Sequence, residues 1–263
     1  MLRAPLALAL VVSALPAWPG TPEGLSVDVP VTAAVAGAGL VLWGATELAH
    51  GSLTPSACRW CDPPALDRHT RAKLVWNDPA AAGLVSDALV LALPASLATA
   101  DFFFAGRDMR RTTEDVLVAV EAVALAAVGT QAVKFAVARR RPDAWARGVR
   151  TSPDDDLSFF SGHVSVAFAA AGAFGTVAKM RGYEAWPLVF AAGFSGAAAV
   201  GYFRVAADKH WLSDVAAAAP FGAAVGIAVP LLLHRGRSAN DSPRLTLTPP
   251  PFGAGGLAIS GTF

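Results

Sequence analysis

Charged side chains are scarce in this chain: 16% of its 263 residues are Asp, Glu, Lys or Arg, against 54% that are hydrophobic. A water-soluble domain carries about 25% charged residues, so lipid rather than water is the main solvent. A dominant sign of charge is missing too. The net charge of +1 gives no global bias toward nucleic acid or another polyanion. The basic residues cluster instead, most densely at Arg139, Arg140, Arg141, Arg147 and Arg150. The long apolar runs lack the period-two alternation of strands, and no internal repeat is visible. Cysteine is limited to Cys58 and Cys61, in Cys-Arg-Trp-Cys. A thioredoxin-type motif needs a βαβ context, which this chain lacks. Three readings of the pair remain: a small-ring disulfide in a secreted loop, free thiols, or a zinc knot with the flanking His50 and His69.

Long apolar segments are abundant. Residues 1–17 have the form of a secretory signal peptide: Met1-Leu2-Arg3, an apolar run from Ala4 to Leu15, then small and helix-breaking residues. That run is shorter than the ~20 residues a spanning helix needs. Six further stretches, near 30–48, 82–100, 115–133, 163–178, 186–203 and 213–233, approach that length. They are rich in Ala and Gly, which let helix backbones approach closely in a membrane bundle. The expected fold is therefore all-α, a six-span transmembrane helical bundle. The helical domain covers 18–235, and a polar, Pro- and Gly-rich tail over 236–263 is expected to be extended or disordered.

Three short stretches carry charged and hydrogen-bonding groups at the ends of these spans. They are Lys134-x6-Arg141-Pro142, Ser161-Gly162-His163 and Arg204-x5-His210-x3-Asp214. In a six-span bundle the helices alternate in direction. The end of span three, the start of four, the end of five and the start of six then share one face, and all three stretches meet there. Phosphoryl transfer is mostly positioning and charge stabilisation. Lys134, Arg141 and Arg204 would supply fixed cations, with guanidinium able to bind oxygens bidentately. Ser161, Gly162 and the helix start near His163 would supply oxyanion donors. His210 and Asp214 are four apart and share a helix face, so the carboxylate can orient one imidazole nitrogen and leave the other free to attack phosphorus. His163 can protonate the departing oxygen and later activate water.

These residues resemble the signature of the type 2 phosphatidic acid phosphatase superfamily: Lys-x6-Arg-Pro, Pro-Ser-Gly-His and Ser-Arg-x5-His-x3-Asp. The resemblance covers roughly 115–233, the expected catalytic core. It implies a metal-independent phosphatase without a cofactor, using a histidine nucleophile and often acting on lipid phosphates in the bilayer. Vanadium haloperoxidases share this site, so a vanadate-dependent haloperoxidase is one alternative. A non-catalytic membrane protein that binds or transports lipid is another. Phe160 replaces the usual proline and Phe203 the usual serine, but neither removes an acid, base or nucleophile. The motif residues are indifferent to what the phosphate is attached to. Phosphatidate, phosphatidylglycerol phosphate, isoprenyl pyrophosphate and lipid A phosphate stand equally, and nothing sets an oligomeric state.

Other polar residues have plainer readings. Arg139 and Arg140 are expected to be positive-inside anchors, and Asp154, Asp155 and Asp156 a solvated loop that makes a poor phosphate neighbour. Glu121, inside span three, is expected to be protonated or bonded within the bundle, and His234 to pack at a span end. Trp211 is expected to anchor at the interface or pack over the site. The side of the membrane is contested. A cleaved signal would leave the site in the cytoplasm, and the basic residues are nearly balanced between the faces once the expected phosphate ligands are set aside. The cysteine pair and the family's frequent orientation favour a site on the periplasmic side of a bacterial-type inner membrane.

Overall fold

The computed structural model describes residues 24–236, with the backbone of 246–248 and 258–260. The segment expected to be a signal peptide lies outside the described residues. Among the described residues, nine α-helices follow one another: α1 (Val29–Leu48), α2 (His50–Leu53), α3 (Ala65–Leu74), α4 (Pro79–Phe104), α5 (Met109–Val137), α6 (Pro142–Arg147), α7 (Gly162–Met180), α8 (Trp186–Ala206) and α9 (Leu212–Leu233). A 3-10 turn occupies Pro153–Asp156. In the tail, β1 (Thr246–Thr248) pairs antiparallel with β2 (Ala258–Ser260), a short exception to the all-helical expectation.

The long helices start where side chains can satisfy their orphan N–H groups. Asp28 caps α1, Asp78 caps α4 and Asp108 caps α5, each accepting a backbone N–H of the first turn. Proline sits in the first turn of α1, α4 and α8, where its missing N–H costs nothing. At the end of α5, Ala138 adopts a left-handed conformation (φ 46°) and turns the chain toward the arginine run.

Among the described residues, five helices are long and apolar enough to cross a membrane: α1, α4, α5, α8 and α9. The chain is thus a multi-pass membrane protein. The sixth expected span, 163–178, folds as α7 but is not among the five. The reason lies in its position. Helices α4, α5, α8 and α9 pack around α7, and most of its residues from Val164 to Met180 are buried. A helix sheathed by other helices meets little lipid, and small residues serve it better than oily ones. Contact with α9 is closest. A Cβ at Gly222 would lie 2.2 Å from the Ser165 carbonyl oxygen, and one at Gly226 the same distance from that of Ala169. Only glycine permits this backbone approach.

Candidate active site

The ends of α5, α7, α8 and α9 meet on one face, as alternation of direction requires. They enclose a cavity of about 550 Å³ whose walls include Lys134, Arg141, Gly162, His163, Arg204 and His210. Lys134 occupies the last turn of α5. Ser161 is the residue before α7, and Gly162 and His163 open that helix. Arg204 lies in the last turn of α8. His210 follows in the connection to α9, and Asp214 lies in the first turn of α9.

His210 is buried, and its Nδ1 lies 2.9 Å from the carbonyl oxygen of Ser158. With Nδ1–H donating there, Nε2 carries the lone pair, and Arg141 Nη1 points at it from 3.3 Å. Burial, and then the charges of Arg141, Arg204, Lys134 and His163, hold this imidazole well below its ordinary pKa of 6.5. The ring is therefore neutral near pH 7, the form in which its free nitrogen could act as a nucleophile.

Asp214 holds the ring differently from the expected direct bond. Its Oδ2 lies 3.6 Å from His210 Nδ1, beyond a hydrogen bond. The same oxygen accepts the Ser158 hydroxyl at 2.5 Å and the Trp211 N–H at 2.9 Å. Asp214 therefore anchors the segments on both sides of the imidazole. Its other oxygen accepts from Arg139.

Arg139 overturns its expected role as a membrane anchor. It is 1% exposed, pairs with Asp67 at 2.6 Å as well as with Asp214, and bonds the Ser213 hydroxyl at 2.7 Å. Its guanidinium lies 3.7 Å from the centre of the Trp60 ring. Arg140 is also engaged, with Asp156 at 2.9 Å. The acidic run is likewise not a freely solvated loop. Asp154 Oδ1 and its carbonyl both accept from Arg141, at 2.8 and 2.9 Å. Burial opposes ionisation of Asp154, but Arg141 and Lys134 outweigh it and hold its pKa below the usual value. Asp155 accepts the N–H groups of Thr151 and Ser152, and Asp156 is buried against Arg140 and Arg150. These carboxylates fix the arginines in place.

His163 Nε2 lies 2.8 Å from Asp87 Oδ1, which is 3.3 Å from Arg204 Nη1. Asp87, on α4, escaped the sequence reading, as did Asp67 and Ser158. One signal was available for Asp87: a carboxylate in a membrane span is a functional candidate by default, the argument applied to Glu121. Among the described residues, Ser161 Oγ and Arg204 Nε are buried without a hydrogen-bond partner. Both belong to the expected anion cage, and oxygens of an anion would satisfy them.

The remaining expectations resolve simply. Cys58 and Cys61 form a disulfide, and among the described residues no group of three or more His, Cys, Asp or Glu could hold a metal. Glu121 is bonded within the bundle, to the buried His234 at 2.5 Å. Trp211 is buried, and its indole N–H bonds the Arg140 carbonyl. The Phe160 ring packs 4.8 Å from that of Phe221 on α9, and Phe203 lies 5.6 Å from Trp76. Aromatic packing thus braces the positions where the signature has proline and serine.

A family model described as the PAP2 superfamily matches residues 115–238, the stretch holding all eight expected site residues. Residues 115–238 belong to the PAP2 superfamily. PAP2 membership supports phosphatase activity. A solved structure, that of the first transmembrane PAP2-type phosphatidylglycerolphosphate phosphatase from Bacillus subtilis, matches with 20% identity, covering 75% of this chain and 93% of that one at a TM-score of 0.42. No curated protein matches the sequence.

Proposed function

We propose that this PAP2 protein hydrolyses the phosphate or pyrophosphate of a membrane lipid through a phosphohistidine at His210. One observation carries the reading. The cavity that holds both imidazoles and the three cations continues between α1, α4 and α5 along Leu40, Trp43, Val90, Leu91, Pro94 and Val123. A charged headgroup and an apolar chain fit the same space. A halide has no use for the apolar arm, which disfavours haloperoxidase chemistry.

The phosphate sits among Lys134, Arg141 and Arg204, with the Ser161 hydroxyl and the first N–H groups of α7 on its oxygens. His210 Nε2 attacks phosphorus, and the bond from phosphorus to the lipid oxygen breaks. His163, protonated once the phosphate's negative charge lies beside it, gives that oxygen its proton. The neutral His163 then takes a proton from water, whose oxygen attacks the phosphohistidine. The P–N bond breaks, inorganic phosphate leaves, and His210 is restored. Asp214 acts as a positioning residue, and its charge 3.6 Å from Nδ1 also stabilises the cationic phosphohistidine.

The site is assigned to the periplasmic side of an inner membrane. Disulfides persist in oxidising compartments, and the Cys58–Cys61 loop is on the site face: the Arg140 N–H bonds the Trp60 carbonyl at 3.0 Å. An impermeant thiol reagent after reduction should label Cys58 in intact spheroplasts, and labelling only after lysis would reverse the assignment. Activity is tested with purified protein and a lipid monophosphate in mixed micelles. His210→Ala should abolish phosphate release, and unchanged turnover would refute the reading.

A further inference from the structure

A second polar group lines the same cavity beside the anion cage. Gln131 precedes Lys134 by three residues, so the two share a face of α5. Glu47, near the end of α1, and His50, at the start of α2, complete the group, and all three line the cavity. Gln131 is 3% exposed. Its amide places Nε2 2.5 Å from Glu47 Oε1 and 3.3 Å from His50 Nε2. The other Glu47 oxygen lies 3.2 Å from His50 Nε2.

Facing a carboxylate, the Gln131 amide must present its NH2, since a carboxylate only accepts. That leaves Oε1 on the other side, and Oε1 is buried without a partner among the described residues. A buried acceptor gains most from a ligand that brings an O–H or N–H. A second phosphate is the wrong ligand, because Glu47 would repel it and Gln131 Oε1 would stay unsatisfied. An ammonium group would suit Glu47, but it would have to sit one helical turn from Lys134. A neutral hydroxyl meets neither objection, since its O–H donates to Gln131 Oε1.

We infer that Glu47, His50 and Gln131 form a specificity subsite for a free hydroxyl on the leaving alcohol, close to the scissile phosphate. The preferred substrate class is then a phosphate monoester of a lipid-bearing polyol, rather than a diphosphate or a fully acylated glycerol phosphate. The inference rests on the lipid phosphatase reading and narrows it.

A matched pair of probes tests it: 1-oleoyl-glycerol 3-phosphate, which has a free hydroxyl beside the phosphate-bearing carbon, and 1-oleoyl-propane-1,3-diol 3-phosphate, which lacks only that hydroxyl. The wild-type protein should favour the hydroxylated lipid in kcat/KM by about 10- to 100-fold, the range for leaving a buried polar group unpaired. Gln131→Leu should erase the preference by bringing the hydroxylated lipid down to the deoxy one. Equal kcat/KM for the two lipids in the wild type would overturn the subsite while leaving the phosphatase reading intact. No phosphate from either lipid would overturn both.

Discussion

The imidazole of His210 is held by a backbone carbonyl, that of Ser158, 2.9 Å from Nδ1, and the Ser158 hydroxyl is in turn held by Asp214. The carboxylate thus acts on the ring through the segment it anchors and through its charge. This separates the consequences of two substitutions. Ser158→Ala keeps the carbonyl and loses only the hydroxyl, so kcat should fall less than about 10-fold. Asp214→Ala frees both flanking segments and removes the charge, and kcat should fall by about 10² or more. Initial-rate kinetics on a lipid monophosphate check this, and equal losses would mean that the hydroxyl, not the anchor, governs the ring.

Asp87 touches both His163 and Arg204, at 2.8 and 3.3 Å. It is 60% exposed as a side chain, so its replacement disturbs the fold little. Asp87→Asn should lower kcat by about 10- to 100-fold, a fraction of a full acid–base contribution. Rapid-quench measurement should place the loss in the proton-transfer steps. An Asp87→Asn enzyme with wild-type kcat would remove this residue from the site.

Arg139 and Asp67 form a buried pair, each side chain 1% exposed. Asp67→Ala leaves Arg139 with Asp214 alone and strips the Ser213 N–H and hydroxyl of their acceptor, a loss of buried hydrogen bonds worth about 1–3 kcal/mol. Asp67→Ala should therefore lower the melting temperature in detergent clearly, whereas Asp62→Ala, in the exposed loop beside it, should not. Equal melting temperatures for both variants would mean that the pair adds nothing to stability.

The sequence made the candidate site legible because motif spacing and the direction of the helices are both readable from a string. It hid the supports. Asp67, Asp87 and Ser158 reach the site only through tertiary packing and sit in no fixed spacing from their partners. Arg139 looked like part of a surface run because four neighbouring arginines masked it, and its burial follows from Asp67 and Asp214 lying on either side. The span count depended on hydropathy, which reports contact with lipid. It therefore describes α7 poorly, since that helix is wrapped by four others. The apolar arm of the cavity was invisible for the same reason, because it is made by α1, α4 and α5 together.

The pH profile follows from His210. Its folded pKa is depressed below 6.5 by burial and by the neighbouring cations, so the neutral, nucleophilic form persists as pH falls through 6.5. The acid limb of kcat/KM due to this group should lie well below pH 6.5. Stability has the corresponding sign. The contribution is fully present above 6.5 and declines as pH falls toward the folded value, because the unfolded chain takes up the proton first, at up to about 1.4 kcal/mol per pH unit. Kinetics between pH 4 and 8 with paired melting curves check both, and an acid limb centred at or above 6.5 would show that the imidazole is not held as described.

The destination of the phosphoryl group decides whether His210 is the nucleophile. Wild-type and His163→Ala protein should be mixed with a lipid whose phosphate is radiolabelled, quenched in alkali and mapped by peptide. The expected result is an acid-labile label on His210 that persists longer in His163→Ala than in the wild type. Label on another residue, or rapid phosphate release from His210→Ala with no labelled protein, would contradict it.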